Sequence, residues 1–193
     1  MEGFEMNRDK IIDTINKARK GILQYVEIMD LFPCVNVAVN SNFQRIYNSF
    51  YKIRQRNHYF YSTYYEYMEN GKIRMPSFDD TIVHFHTILG RFEPSFSSKL
   101  AHTLDQNQPI WDVNILRNID QRAPSYGTND RLNKIIEVYR RLRQWYRKFL
   151  PTEEASEILT IFDKLIPDSH RISDVKKIDF VLWQTRSCNE FHC

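Results

Sequence analysis

From residue 11 onward, apolar side chains return every three or four positions along the chain. Ile11, Ile15, Ala18, Ile22, Val26 and Met29 form the stripe of a long amphipathic helix that ends before Pro33. Phe43, Ile46, Tyr47, Phe50 and Ile53 mark a second helix. The aromatic run "NHYFYSTYYEYMENGK" predicts a third, stopped by Asn70-Gly71, although so dense an aromatic run would also suit a strand. Phe78, Ile82, Phe85 and Leu89 repeat at helical steps, with Asp79 and Asp80 in the first turn and Gly90 closing the element. A short helix near 95–104 follows, and an amphipathic segment resumes with Val113, Ile115, Leu116 and Ile119. Leu132, Ile135, Ile136, Tyr139, Leu142, Trp145 and Phe149 make a long helix ended by Pro151, and two more, near 153–165 and 173–186, complete the set. Only "VNVAV" at 35–39 alternates like a strand, and it is too short to found a sheet. The pattern predicts an all-α fold: one compact helical domain, or two small lobes made of 35–125 and of 1–34 with 126–193.

A chain of 193 residues, 42% of them hydrophobic, can bury a core of that size. Five Gly and seven Pro, with no low-complexity tract, argue against a long flexible linker. The opening "MEGFEMNRDKII" lacks the apolar core of a signal peptide, and no apolar run approaches the roughly 20 residues that a membrane span requires. A cytoplasmic protein without membrane contact is expected. Cys34, Cys188 and Cys193 lack CxxC spacing, which excludes a disulfide framework and a four-cysteine metal site and leaves ordinary free thiols. His84 and His86, two apart on a helix, lie about 200° around its axis and do not converge on one metal. There is no dinucleotide fingerprint, phosphate loop, GxSxG elbow or HExxH helix, so no cofactor or metal is expected.

The net charge of +3 identifies nothing, but its distribution does more. Acids gather in 153–163, whereas "RLNKIIEVYRRLRQWYRK" at 131–148 carries Arg131, Lys134, Arg140, Arg141, Arg143, Arg147 and Lys148. Such a run can face phosphates, or be a solvated helix face. The stretch "PIWDVNILRNI" at 109–119 offers the sharpest chemical candidate. Asp112 follows an extended Pro-Ile-Trp run where an amphipathic segment begins, the position of a helix N-cap and equally of a catalytic carboxylate.

From Phe78 to Ile119 the order is helix, the tight connection "LGRFEPSF", the short helix "SSKLAHTL", the polar turn "DQNQ", then "PIWDVNILRNI". That order resembles the helix-hairpin-helix DNA glycosylase superfamily, whose hairpin is followed by a "PVD-x-x-V-x-R"-like segment bearing the catalytic aspartate; Pro109, Asp112 and Arg117 occupy comparable places. Upstream, "VNSNFQRIYNSF" at 39–50 is similar to the Asn-rich helix start of the oxoguanine-type members, and "KKIDFVLWQTRSC" at 176–188 looks like that fold's closing helix. The resemblance implies duplex DNA with a modified base as partner, no obligate protein partner, and Asp112 as the catalytic group. It implies Asn40 as the plug for the gap left by a flipped nucleotide, and Arg45 as the contact to the orphaned base. Trp111 would wall the base pocket. Arg91, Ser97, Ser98, Lys99 and Arg117 would hold DNA phosphates.

The hairpin departs from the family. It offers Leu89, Gly90, Pro94 and Ser95 without the paired glycines that let backbone amides approach a phosphate. Lys99 precedes Asp112 too closely to match the lysine of bifunctional members, so monofunctional hydrolysis is expected, with Lys99 as a phosphate contact or, second, an amine nucleophile. The base is not legible. Small anti-phage members that excise hypermodified pyrimidines such as glucosylated hydroxymethylcytosine are one association. Two other classes stay open: a non-catalytic helical nucleic-acid-binding or regulatory module, and a helical protein-interaction protein in which Asp112 is only a cap.

Overall fold

The computed structural model describes residues 6–185. Among them it is built of α-helices: α1 (Arg8–Cys34), α2 (Ser41–Tyr51), α3 (His58–Arg74), α4 (Phe78–Leu89), α5 (Pro94–Leu104), α6 (Val113–Asn118), α7 (Arg131–Phe149), α8 (Glu153–Leu165) and α9 (Asp174–Gln184), with one 3-10 turn at Ser169–Arg171. No strand occurs among the described residues, so the fold is all-α. No described helix is long and apolar enough to cross a membrane. The chain divides into two compact units. One is Lys20–Gln108; the other joins the chain up to Arg19 with the chain from Pro109 onward. The sequence pattern had suggested lobe boundaries near residues 34 and 125. Cys188 and Cys193, and the end of the "KKIDFVLWQTRSC" segment, lie outside the described residues.

Local chemistry sets the helix ends. Asn40, Asn57, Ser77, Asp112, Thr152 and Ser173 are N-caps whose side chains accept backbone N–H groups of the first turn. Ser77 and Asp80 form a reciprocal capping box. Two expectations change, at Pro33 and at Asn70-Gly71. Pro33 lies inside the last turn of α1 instead of beyond it. "VNVAV" is no strand: residues 37–39 make a turn, and the Glu69 carboxylate accepts the Val37 N–H at 2.8 Å. The helix α3 runs through Asn70-Gly71 to Arg74, because Gly71 is buried where an added Cβ would come within 2.7 Å of Leu104 Cδ1. There the glycine serves close packing, not termination.

In the Lys20–Gln108 unit the core is aromatic. Phe43, Tyr47, Phe60, Tyr64, Tyr65, Phe78 and Phe85 are buried together with Ile22, Tyr25 and Ile28 from α1. Their hydroxyls are satisfied internally: Tyr47 contacts the hydroxyls of Tyr64 at 3.0 Å and Thr103 at 3.1 Å, and Tyr65 donates to Asn48 Oδ1 at 2.8 Å. The buried stripe of α1 continues through Tyr25 and Ile28, leaving Val26 and Met29 half-buried, as steps of three and four on a 3.6-residue period require. In the other unit α9 is buried at every position from Val175 to Leu182, α6 and α8 pack against it, and Tyr146 of α7 reaches its Asp179; Ile115, Leu116, Tyr139, Leu142, Ile158 and Phe162 are buried in the same unit.

Candidate functional site

Asp112 sits where two local requirements meet. The preceding Ile110 and Trp111 are buried, and Tyr139 of α7 donates to the Pro109 carbonyl at 3.0 Å, which ties this approach to α7. Asp112 then takes an extended backbone (φ −132°, ψ 145°), and its Oδ1 accepts the Asn114 N–H at 2.8 Å to cap α6. The side chain is half-buried. At the other end of α6, Asn118 Nδ2 donates to the carbonyls of Leu182 and Thr185, both at 2.7 Å, tying the helix to the C-terminal turn of α9. Asp112 is thus an N-cap in the structure; a carboxylate uses one oxygen for that task, and Oδ2 takes no part in the cap.

A buried polar cluster stands on the neighbouring elements. Lys176 Nζ donates to Asp179 Oδ2 at 2.7 Å, with both side chains only 4% exposed, and Tyr146 of α7 donates to Asp179 Oδ1 at 3.3 Å. The Lys176 ammonium also lies 4.5 Å from the Phe180 ring centre. Burial lifts the proton affinity of Asp179, Lys176 opposes that, and the negative charge of Asp112 adds to it; the outcome is a carboxyl held above its ordinary range. Tyr146 is pushed up by burial first, then by Asp179 and, more weakly, by Asp112. Asp112 is therefore electrostatically joined to this cluster. The sequence reading missed it. A signal for it was Lys176 and Asp179 at i, i+3 on a helix whose remaining positions from Val175 to Leu182, Lys177 apart, are apolar, since a charge on a buried helix must be paired.

Arg117 is exposed on α6, and Lys134, Arg140, Arg141, Arg147 and Lys148 are exposed along α7, with Arg131 and Arg143 half-exposed. The run therefore presents a basic surface, as a phosphate-facing or a merely solvated helix both would.

The remaining expected residues lie in the Lys20–Gln108 unit. Asn40 is half-buried and caps α2, its Oδ1 accepting the Phe43 N–H at 2.8 Å; Arg45, one turn on, is exposed and donates to Asn42 Oδ1 at 2.8 Å. The helices α4 and α5 form a hairpin through Gly90, which adopts the left-handed conformation (φ 64°) at the α4 C-cap. Beyond it the connection is charged: Glu93 pairs with Arg56 at 3.3 Å and Arg91 at 3.6 Å, so a carboxylate stands at the start of α5. Ser97 and Ser98 are fully buried, and Ser98 donates to the Ser95 carbonyl at 3.0 Å. Their hydroxyls are inside the fold rather than on a phosphate-facing surface. Lys99 is half-buried; its ammonium donates to the Tyr51 carbonyl at 3.1 Å and lies over the Phe96 ring. Two histidines stack on aromatics: His84 on Tyr67 at 3.9 Å and His86 on Phe92 at 4.1 Å between ring centres.

The expected residues consequently divide between the units, with Trp111, Asp112 and Arg117 in one and Asn40, Arg45, Arg91, Ser97, Ser98 and Lys99 in the other. A surface cavity of about 300 Å³, lined by Arg8, Glu153, Ser156, Glu157, Thr160, Ile161 and Lys164, includes none of them. Compared with protein-family models, with curated proteins and with solved structures, the chain matches none.

Proposed function

We propose that the chain is a monofunctional DNA glycosylase that acts on a modified base in duplex DNA and leaves an abasic site. The observation that carries the reading is Asp112: a half-buried carboxylate that caps the first helix after the α4–α5 hairpin, next in sequence to a buried Trp, and whose charge bears on the buried Asp179. Breaking an N-glycosidic bond builds positive charge on the sugar as the base departs. A fixed carboxylate at the sugar's face stabilises that charge and orients the attacking water, the logic of glycoside hydrolysis. Phosphate contacts would come from the exposed cations of α6 and α7, with Arg45 and Arg91. Asn40 would fill the gap left by the flipped nucleotide, whose extrusion costs a few kcal/mol. A hypermodified cytosine of phage DNA, within the cytoplasm, is the substrate class to try first.

The burial of Ser97 and Ser98 and the carboxylate at the α5 start favour one second reading, a helical nucleic-acid-binding module without chemistry. The test is incubation with duplexes bearing hydroxymethylated or glucosylated cytosine, oxoguanine, uracil and alkylated bases, followed by an aldehyde-reactive probe. Signal that falls by orders of magnitude in Asp112→Asn, with melting temperature and DNA binding kept because Asn caps as well as Asp, is the expected result. Unchanged turnover in that variant removes Asp112 from the chemistry. Silence on every duplex with binding retained leaves the binding module.

A further inference from the structure

Between α6 and α7 the chain makes a long connection, residues 119–130, that is well anchored at its base. The Gln121 N–H donates to the Leu116 carbonyl at 2.7 Å, and Arg141 Nε of α7 donates to Gln121 Oε1 at 3.0 Å. Its tip is a tight turn: the Thr128 N–H donates to the Ser125 carbonyl at 3.3 Å, and the two hydroxyls meet at 2.8 Å. The corner of that turn displays Tyr126, which is 91% exposed in a protein whose other tyrosines are largely packed inside. The ring is not adrift, because the Arg131 guanidinium stands 4.2 Å from its centre, at the first turn of α7. Near it in sequence are exposed Arg122 in the loop and exposed Arg117 on α6, along with Asp120 and Asp130, the latter engaged by Asn133 Nδ2 at 2.8 and 3.0 Å.

We propose that Tyr126 is a stacking platform for an unpaired nucleobase. A planar phenol ring held out on a hydrogen-bonded turn, with a guanidinium against the ring, has lost most of its freedom before a ligand arrives; stacking then adds contact without further ordering. Every base has a π-face, so the contact does not depend on sequence. The base must be unpaired, because a ring at a loop tip meets bases face-on only where the helix stack is open, at a flipped nucleotide, its orphan or a single strand. The inference rests on the proposed DNA reading but not on its chemistry.

The experiment measures fluorescence anisotropy of three labelled probes, a short single strand, the same strand fully paired, and a duplex with one bulged base, against wild type, Tyr126→Ala and Tyr126→Trp. Tyr126→Ala is expected to weaken binding to the single strand and the bulged duplex about five-fold or more, and to the paired duplex by less than about two-fold, with the melting temperature unchanged. Tyr126→Trp is expected to restore binding, with its added indole emission quenched by the single strand. Equal loss on all three probes, no loss on any, or an unquenched indole overturns the inference. Base release by wild type together with an indifferent Tyr126→Ala leaves the glycosylase reading standing without the platform. Tyr126-dependent binding with no base release from any substrate does the opposite, and absence of binding to all three probes overturns both.

Discussion

Replacing Lys176 by Met removes one half of an ion pair that water does not reach. Both side chains are 4% exposed and their charged atoms are 2.7 Å apart. At an effective dielectric constant of about 20 the Coulomb attraction at that separation is about 6 kcal/mol. Desolvating the two ions costs several kcal/mol each, so the intact pair comes out near balance. The single substitution upsets that balance, since the Asp179 carboxylate keeps its desolvation penalty and loses its cation, with only the Tyr146 hydroxyl at 3.3 Å remaining. Lys176→Met is therefore expected to cost about 3–5 kcal/mol at pH 7, while the double variant Lys176→Met, Asp179→Leu stays near wild type. Urea titration followed by circular dichroism reads this as a midpoint shift of about 2 M for the single variant at an ordinary slope. The sign of the pH dependence follows from Asp179. Its carboxyl is raised in the folded state, so its contribution to stability is complete below the ordinary carboxylate range and is lost as pH rises through the raised value. Stability of wild type relative to the double variant should accordingly decline as pH rises above the ordinary carboxylate range. A loss below about 1 kcal/mol for the single variant, or a gap that widens in favour of wild type with rising pH, refutes the account.

Substitutions at two further positions test the hairpin that precedes the Asp112 segment. Ser77→Ala removes the N-cap of α4 and the hydroxyl that donates to Asp80 at 2.6 Å, and should cost about 1 kcal/mol at pH 7 by thermal or urea unfolding. Hydrogen bonds from Ser77 hold the Asp80 carboxyl below its ordinary range, so this stability exists above that range and is lost as pH falls through the lowered value; the deficit should shrink in acid. Gly90→Ala meets no atom within 4 Å, and its whole cost is the left-handed backbone, about 1 kcal/mol, whereas Gly90→Asn should lose less.

The helices were legible because their signals are local. Spacing in the α4 stripe, acids at its first turn and a glycine after its last residue all act within a few positions, and α4 begins and ends where they say. Asn70-Gly71 carries the same kind of punctuation yet lies inside α3, because there the glycine answers to Leu104, a residue distant in sequence. The short alternation of "VNVAV" likewise had no partner strand, and a lone extended segment yields to the turn that Glu69 holds. The Asn70-Gly71 misreading comes from treating a tertiary requirement as a local one.

The candidate site divides in the same way. The sequence by itself determined an all-helical chain, a carboxylate at a helix start after Pro-Ile-Trp, and a basic run on one long helix, since each depends on residue type and short spacing. Only the tertiary structure decided that Asp112 is half-buried, that Lys176 and Asp179 are buried as a pair, that Ser97 and Ser98 point inward, and that Tyr126 stands out on a closed turn. Burial and charge coupling are set by which distant segments pack around a side chain, and hydrophobic periodicity specifies which face is covered without naming what covers it.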